Sequence, residues 1–159
     1  MIQYKRTYID NIEESRHVLE ALLELSKEWA MEKSSPAYYE NEVEEYLDKE
    51  IFIALDGDKI VAYAMGVIKE LEEKTSYNQI GDIAFCIDEF FVTKKYRNQG
   101  IGRMLYQFVE EELGCEVDLI SLSATSYRYK DLLKFYIDDL GMEFNHAFLT
   151  KKMDNVLDN

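Results

Sequence analysis

Apolar and polar residues follow β-strand spacing in several short segments of the chain. Residues 2–8 alternate between the two kinds, which is typical of a half-buried strand. Residues 60–71 begin with a nearly continuous apolar run, which is typical of a strand covered on both faces. Gly66 inside that run predicts a bulge or a close backbone approach. The pattern predicts strands over 2–8, 51–55, 60–71, 81–92, 117–123 and 144–153.

Other segments repeat their apolar residues every three or four positions, as helices that cover a sheet do. Asp10 and Glu13 have the spacing of a capping box and predict the start of a first helix. Ser35 and Pro36 suit the N-cap and the first position of a second helix, whose apolar stripe ends at Leu47. Two more helices are predicted over 101–113 and 131–140, and a glycine follows each of them.

Length and composition fit one globular domain. The predicted order is β-α-α-β-β-β-α-β-α-β over residues 1–153, with a flexible tail over 154–159. The chain has no apolar run long enough to span a membrane and no apolar signal core near its start. Cys86 and Cys115 match no disulfide framework and no metal spacing, so we expect a cytoplasmic protein without a metal.

The chain is strongly acidic, with 32 acidic residues against 18 basic ones and a formal net charge of −14. Such a charge argues against nucleic acid and anionic membranes as partners. It permits the attraction of cationic substrates, although acidity that only keeps a protein soluble explains the composition as well.

A short basic loop with two glycines lies between a predicted strand and a predicted helix. Helix N-termini bind anions, because their first N–H groups have no internal partner and the helix dipole is positive there. Gly100 and Gly102 would let a phosphate approach those N–H groups, or would only permit tight packing of strand and helix. The spacing does not fit a dinucleotide fingerprint, and the chain has no P-loop. Four basic residues and no acid occupy 93–103: Lys94, Lys95, Arg97 and Arg103.

These residues carry a resemblance to a known family. Arg97-x-x-Gly100-x-Gly102 after Phe90-Phe91-Val92 resembles the acyl-CoA signature of the GNAT acetyltransferases, and the string from Asp88 to Arg97 is similar to the spermidine/spermine branch. The resemblance implies a mixed, mostly antiparallel sheet flanked by helices. It also implies acetyl-CoA-dependent N-acetylation by direct transfer in a ternary complex, with a small cationic amine such as a polyamine as acceptor.

The resemblance also implies a cofactor site. Backbone N–H groups of the loop and helix start would hold the pyrophosphate, and the end of the preceding strand would pair with the pantetheine arm and orient the thioester. The residues concerned are Phe91, Val92, Thr93, Arg97, Asn98, Gln99, Gly100, Ile101, Gly102 and Arg103.

A tyrosine is the implied proton donor to the departing thiolate. Phe135-Tyr136 before Leu140-Gly141 matches the position of the family's helical tyrosine, and a tyrosine with a pKa of about 10 is protonated at neutral pH. In the family this tyrosine usually precedes the glycine by four residues, whereas here the interval is five. We therefore expect the end of the helix to absorb one extra residue.

Carboxylates are the candidate bases and amine ligands. Asp88 and Glu89 are adjacent on a strand, so only one faces a given cleft unless the strand bulges. Glu89 is preferred as the base because it shares a face with Phe91, and Glu28 and Glu32 complete the candidate acidic pocket. Tyr38 and Tyr39 are candidates for substrate contact or for the core.

Three alternatives remain at this stage. The alternative acceptors are an aminoglycoside-like amine and a protein or peptide amine, and an open groove would favour the protein amine. A non-catalytic acyl-CoA-binding regulatory module is the other class of function. The C-terminal strand predicted over 144–153 would also allow pairing across a homodimer.

Overall fold

A five-stranded sheet with helices on both faces forms the protein, and the computed structural model describes residues 1–153. The predicted tail, 154–159, lies outside the described residues. The strands are adjacent in chain order: β1 (Ile2–Tyr8), β2 (Glu50–Asp56), β3 (Lys59–Glu70), β4 (Ile83–Val92) and β5 (Leu119–Leu122).

Strand pairing is antiparallel from β1 to β4 and parallel between β4 and β5, which confirms the predicted mixed, mostly antiparallel sheet. β4 and β5 pair only between Ala84–Ile87 and Leu119–Leu122. Beyond Ile87, β4 continues to Val92 without a partner from β5. The two strands therefore separate and leave an open edge on the second half of β4.

Within residues 1–153, three α-helices lie against the sheet: α1 (Arg16–Glu32), α2 (Ile101–Leu113) and α3 (Tyr129–Lys134), which continues as a π-helix over Phe135–Asp139. Leu19, Leu22 and Leu25 of α1 pack on one face of the sheet. Ile101, Leu105 and Val109 of α2 pack on the other face. The amphipathic spacing of both helices thus predicts their packing correctly.

The predicted start of the first helix is wrong. Asp10 does not cap it, because the Asn11 side-chain oxygen accepts hydrogen bonds from the N–H groups of Glu13 and Glu14 at 3.0 and 3.3 Å. This local turn competes with helix formation, so α1 begins only at Arg16.

The predicted second helix from Ser35 is also wrong, since only a short 3-10 turn forms over Val43–Tyr46. The Ser35 hydroxyl donates to the carbonyl of Thr125 at 2.6 Å instead of capping a helix. The Asn41 N–H donates to the hydroxyl of Ser26 on α1 at 2.7 Å. Tertiary partners therefore take the polar groups that a helix would have used.

The last predicted strand, 144–153, does not join the sheet. Among residues 1–153 the sheet ends at β5, and Phe148 and Leu149 are 89% and 88% exposed. The segment contacts the β3–β4 connection instead, where the Asn145 side chain donates to the Ser76 hydroxyl at 2.9 Å. The strand-like pattern of apolar residues predicted that this segment pairs with another strand. Such a pattern does not show whether a strand with a free edge lies nearby.

A bulge in β4 confirms the expectation from Gly66. Met65 pairs with Glu89 and Gly66 pairs with Ile87, so Asp88 is an extra residue in β4. A Cβ at Gly66 would lie 2.1 Å from the carbonyl oxygen of Cys86, which only glycine avoids. The bulge also switches the faces of β4: Ile87 packs on the side of α2, and Glu89 turns toward α1 with Phe91.

Gly66→Ala should therefore be strongly destabilising. Its methyl group would overlap backbone atoms of Cys86 and Ile87, and overpacking of this kind costs about 2 kcal/mol. We expect the melting temperature to fall by roughly 4–8 °C in differential scanning calorimetry. An unchanged melting temperature would contradict the requirement for close approach at this position.

No helix within residues 1–153 is both long and apolar enough to cross a membrane.

Candidate active site

The separation of β4 and β5 opens a cleft of about 1340 Å³. Its walls come from the second half of β4, the glycine loop, α3, the end of α1 and the two loops that follow α1 and β5. The charged side chains that line it are of both signs: Lys94, Arg97, Arg103, Arg128 and Lys134, and Glu32, Asp88, Glu89, Asp131 and Asp139.

The glycine loop is shaped by two residues with left-handed backbone, Asn98 (φ 59°) and Gly100 (φ 79°). The first hydrogen bond within α2 runs from the N–H of Met104 to the carbonyl of Gly100 at 3.0 Å. The N–H groups of Ile101, Gly102 and Arg103 therefore precede the helical ladder and remain available to an anion. A Cβ at Gly100 would meet nothing within 4 Å, so open space lies beside this glycine.

Gly102 serves packing. A Cβ there would lie 3.2 Å from the ring of Phe135 and 3.4 Å from a methyl carbon of Val92. The packing interpretation of the glycines is therefore correct for Gly102, while Gly100 leaves space. Gln99, another loop residue, does not line the cleft, because its amide donates to the carbonyl of Lys95 at 3.0 Å.

The open edge of β4 presents alternate backbone groups to the cleft. The Thr93 N–H donates to the carbonyl of Val61 on β3 at 3.0 Å, so, contrary to expectation, this N–H group does not face the open edge. Successive strand residues direct their N–H groups to opposite edges, so those of Phe91 and Glu89 also turn toward β3. The N–H groups of Val92 and Phe90 turn to the open edge instead.

Arg97 is held within the protein. Its Nε donates to the carbonyl of Val92 at 2.8 Å, its Nη2 pairs with Glu32 at 2.7 Å, and its guanidinium lies 5.3 Å above the ring of Phe91. Glu28 is engaged in a similar way, accepting from the Thr93 hydroxyl at 2.6 Å and from the Lys94 N–H at 2.8 Å. Glu28 and Glu32 thus hold the end of β4 and the residues that follow it, and of these two carboxylates only Glu32 lines the cleft.

Tyr136 is buried, with 7% of its surface exposed, and it lines the cleft. Its ring packs edge-on against Phe90, with centroids 6.3 Å apart, which places it beside the open edge of β4. Burial raises the pKa of Tyr136 to about 12. Its hydroxyl therefore stays protonated throughout the physiological range.

The extra residue before Gly141 is absorbed as the sequence predicts. The N–H of Leu140 donates to the carbonyl of Phe135 at 3.1 Å, five residues earlier, which widens the last turn into a π-helix. A π turn accommodates one more residue than an α turn between the same ends. The turn contains Tyr136, so the irregularity lies at a residue of the cleft wall.

Asp88 and Glu89 both line the cleft, since the bulge turns the strand between them. Asp88 is exposed and pairs with Lys49 at 2.7 Å. Glu89 is half-buried and accepts from the Tyr63 hydroxyl at 2.6 Å and from the Asn41 amide at 2.8 and 2.9 Å. Burial raises the pKa of Glu89, while the hydrogen bonds from these two donors oppose that rise.

An aromatic wall stands beside Glu89. The ring of Trp29 stacks on Tyr38 at 4.0 Å and on Phe91 at 5.2 Å, and all three residues line the cleft. Tyr39 points away and is 78% exposed. Of the two tyrosines proposed for substrate contact, only Tyr38 therefore faces the cleft.

Several cleft residues and their partners were not predicted. Asn41 and Tyr63 reach Glu89 across 48 and 26 residues of sequence, a separation at which no spacing pattern operates. Arg128 lies in the acid-free stretch 124–130 after β5, and this stretch was the one signal in the sequence for a basic residue here. Lys134 follows that stretch, beyond Asp131.

The sequence model of the Acetyltransferase (GNAT) family matches residues 18–142 of the 159, which include α1, the glycine loop and Tyr136. The chain belongs to the GNAT acetyltransferase family. It is therefore an acyltransferase of the class that uses acetyl-CoA. No curated protein sequence matches the chain significantly.

Solved structures share the fold of this acetyltransferase at low sequence identity. An aminoglycoside acetyltransferase from an uncultured soil metagenomic sample has a TM-score of 0.66 at 16% identity, covering 96% of this chain and 97% of that one. AAC(6')-Iy in complex with a bisubstrate analogue of CoA has a TM-score of 0.68 at 15% identity, with 97% and 99% covered. A transcriptional regulator from Bacillus halodurans C-125 has a TM-score of 0.65 at 18% identity, with 96% and 100% covered.

Proposed function

We propose that this protein transfers the acetyl group of acetyl-CoA directly to a primary amine of a small cationic acceptor such as a polyamine. One observation carries the proposal: a single cleft joins the glycine loop and Tyr136 with a half-buried carboxylate, Glu89, beside aromatic rings. Acyl transfer from a thioester to an amine requires an anion site for CoA, a hydrogen-bond donor to the leaving sulfur and a base that deprotonates the ammonium.

The N-terminus of α2 is the proposed site for the pyrophosphate of CoA. The N–H groups of Ile101, Gly102 and Arg103 precede the helical ladder, and Gly100 leaves the approach open. Lys94 and Arg103 add positive charge along the cleft, while Asn98 shapes the loop. When bound, acetyl-CoA supplies the activated acyl group.

The open edge of β4 is the proposed place for the pantetheine arm. The N–H groups of Phe90 and Val92 turn toward this edge, where they would hydrogen-bond an added strand and polarise the thioester carbonyl. The N–H groups of Phe91 and Thr93 turn to β3 instead, so these two residues hold this part of β4 in the sheet. Arg97 positions Val92 rather than contacting phosphate with its Nε.

Tyr136 is the proposed donor to the leaving sulfur. An ordinary thiol has a pKa of about 8.5, well below the pKa of about 12 that burial gives to Tyr136. The phenol therefore keeps its proton and donates a hydrogen bond to the sulfur as negative charge develops there, so that CoA leaves as a stabilised thiolate. Such a bond is stronger than a neutral one because its acceptor becomes ionised.

Glu89 is the proposed base. An amine must lose a proton before it attacks, and a carboxylate with a raised pKa accepts that proton more readily than an ordinary one. Glu89 acts only when ionised, so the rate should fall as the pH drops through its raised pKa. Asp88 is proposed to attract the cation from the exposed rim of the cleft, where Lys49 pairs with it.

The aromatic wall and two joined loops favour a small cationic acceptor. Aromatic faces attract ammonium groups, and Trp29 and Tyr38 stand beside Glu89. The N–H of Tyr127 donates to the carbonyl of Ser34 at 3.0 Å, and the Ser35 hydroxyl bonds Thr125. The loops after α1 and β5 thus meet where both line the cleft, which disfavours a folded protein as acceptor.

An aminoglycoside amine is the second candidate acceptor. Two of the structures that share the fold are those of an aminoglycoside acetyltransferase from soil and of AAC(6')-Iy. Aminoglycosides are also polycationic amines, so Glu89 and the aromatic wall would attract them as well, but they are bulkier than a linear polyamine.

A thiol-release assay with a panel of amines tests the proposal. We expect acetyl-CoA turnover with spermidine, spermine or putrescine, a weaker rate with an aminoglycoside, and the lowest rate with a lysine peptide or without amine. Calorimetric binding of acetyl-CoA measures the donor site separately.

The outcomes of this assay separate the three classes of function. Fastest turnover with the lysine peptide would overturn the small-acceptor proposal. Acetyl-CoA binding without amine-dependent release would favour the non-catalytic acyl-CoA-binding module.

A further inference from the structure

A network of hydrogen-bonded polar side chains contacts Glu89 on the side away from the cleft. Asn41 bonds both carboxylate oxygens of Glu89, at 2.8 and 2.9 Å, and Tyr63 donates to one of them at 2.6 Å. Tyr63 is fully buried and Asn41 is 8% exposed. Two donors from different parts of the chain therefore converge on one carboxylate at the cleft.

Further contacts fix Asn41 itself. Its backbone N–H donates to the buried hydroxyl of Ser26 at 2.7 Å, and its side-chain amide also donates to Tyr46 at 3.2 Å. The Tyr46 hydroxyl donates a hydrogen bond to the carbonyl of Leu22 on α1 at 3.2 Å. Asn41 is thus held at both its backbone and its side chain, and α1 determines where its amide points.

We infer that Asn41 and Tyr63 are positioning residues that hold the Glu89 carboxylate in place as the base of the acetyl transfer. This inference rests on the function proposed above. The donors hold both oxygens on the protein side and leave the remaining lone pairs toward the cleft, where an ammonium N–H would bond them. Neither residue lines the cleft, so each acts through Glu89.

The network also stabilises the charge on Glu89. Donors to a carboxylate favour its ionised form, whereas burial and nearby negative charge disfavour that form. Removing either donor should therefore raise the pKa of Glu89 further and narrow the pH range in which it acts. The titratable groups that face Glu89 are Tyr63 of β3, Tyr38 before the 3-10 turn, Glu45 and Tyr46 within that turn, and Asp88 of β4.

Asn41→Leu and Tyr63→Phe test the inference, because each removes donors with little change of shape. We expect each to move the acidic limb of the kcat/KM profile upward by about one pH unit. At pH 7 we expect kcat to fall roughly tenfold with little change in the KM for amine. Carbon-13 NMR of glutamate-labelled protein should show the same upward pKa change, with Glu89→Gln assigning the resonance.

Tyr46→Phe is the matched control. It removes a buried hydroxyl of the same network that contacts Asn41 but not Glu89. We expect it to lower the melting temperature and to change the pKa of Glu89 only slightly, because Asn41 and Tyr63 keep their own hydrogen bonds to that carboxylate. A merely structural role for Asn41 and Tyr63 would give all three variants this behaviour and would overturn the inference.

The NMR titration separates failure of the inference from failure of the proposed function. An unchanged pKa of Glu89 in both Asn41→Leu and Tyr63→Phe would overturn the positioning role, whatever their rates. A wild-type protein that acetylates no amine would overturn the proposed function even if the pKa of Glu89 changes as expected in both variants.

Discussion

Gly100→Val is expected to lower the affinity for acetyl-CoA about 100-fold. The isopropyl group would fill the open space beside the first N–H groups of α2 and separate them from the pyrophosphate. Loss of two hydrogen bonds to a charged group, at about 1.5 kcal/mol each, corresponds to that factor. Isothermal titration calorimetry with acetyl-CoA measures the change directly.

Strain must be separated from blockage, because Gly100 has a φ of 79° that valine tolerates poorly. Gly81 offers a matched control, since it has a φ of 89° and a Cβ built on it would lie 4.0 Å from its nearest neighbour, an oxygen of Glu70. Gly81 lies in the β3–β4 connection and does not line the cleft. Gly81→Val should lose a similar amount of stability and bind acetyl-CoA normally. Normal binding by folded Gly100→Val would contradict the assignment of the phosphate site.

Tyr136→Phe is expected to lower kcat by about 100-fold or more while leaving acetyl-CoA affinity nearly unchanged. The ring stays in its contact with Phe90, so only the hydroxyl that stabilises the leaving sulfur is lost. Since the pKa of Tyr136 is about 12, the donor is fully protonated from pH 6 to 9. The ratio of wild-type to variant rates should therefore be constant over that range in steady-state assays.

Tyr106→Phe controls for the loss of a buried phenol. Tyr106 lies on α2, is 4% exposed, and has a pKa that burial also raises to about 12, but it does not line the cleft. We expect its removal to leave kcat unchanged. If Tyr136→Phe matched the wild-type rate from pH 6 to 9, the proton donor would have to be another group.

The two glycines of the loop show why sequence patterns leave roles unresolved. Gly100 and Gly102 are equivalent in a motif, yet only Gly102 is in contact with Phe135 and Val92, while Gly100 leaves space. Distances to residues elsewhere in the chain decide between packing and access. The motif therefore located the site without dividing the roles inside it.

Asp88 and Glu89 make the same point about orientation. Strand alternation predicts that the two carboxylates face opposite sides of the sheet unless the strand bulges, and the sequence alone does not decide whether it does. Gly66 on the neighbouring strand has no Cβ to clash with Cys86 at the bulge, and both carboxylates line the cleft. Pairing between strands, which lies outside any local pattern, settled the geometry.

The sequence by itself determined α1 apart from its start, α2, the five strands of the sheet and the glycine loop, because these depend on local periodicity and turn chemistry. The extra residue before Gly141 was expected from the resemblance to the GNAT family, and the π turn accommodates it. Only the tertiary structure decided the irregular segment over 35–42, the unpaired segment over 144–153 and the donors to Glu89. The irregular segment and the donors to Glu89 depend on hydrogen-bond partners that lie tens of residues away in sequence. The segment over 144–153 pairs with no strand of the sheet within residues 1–153. A local sequence pattern contains no information about such partners.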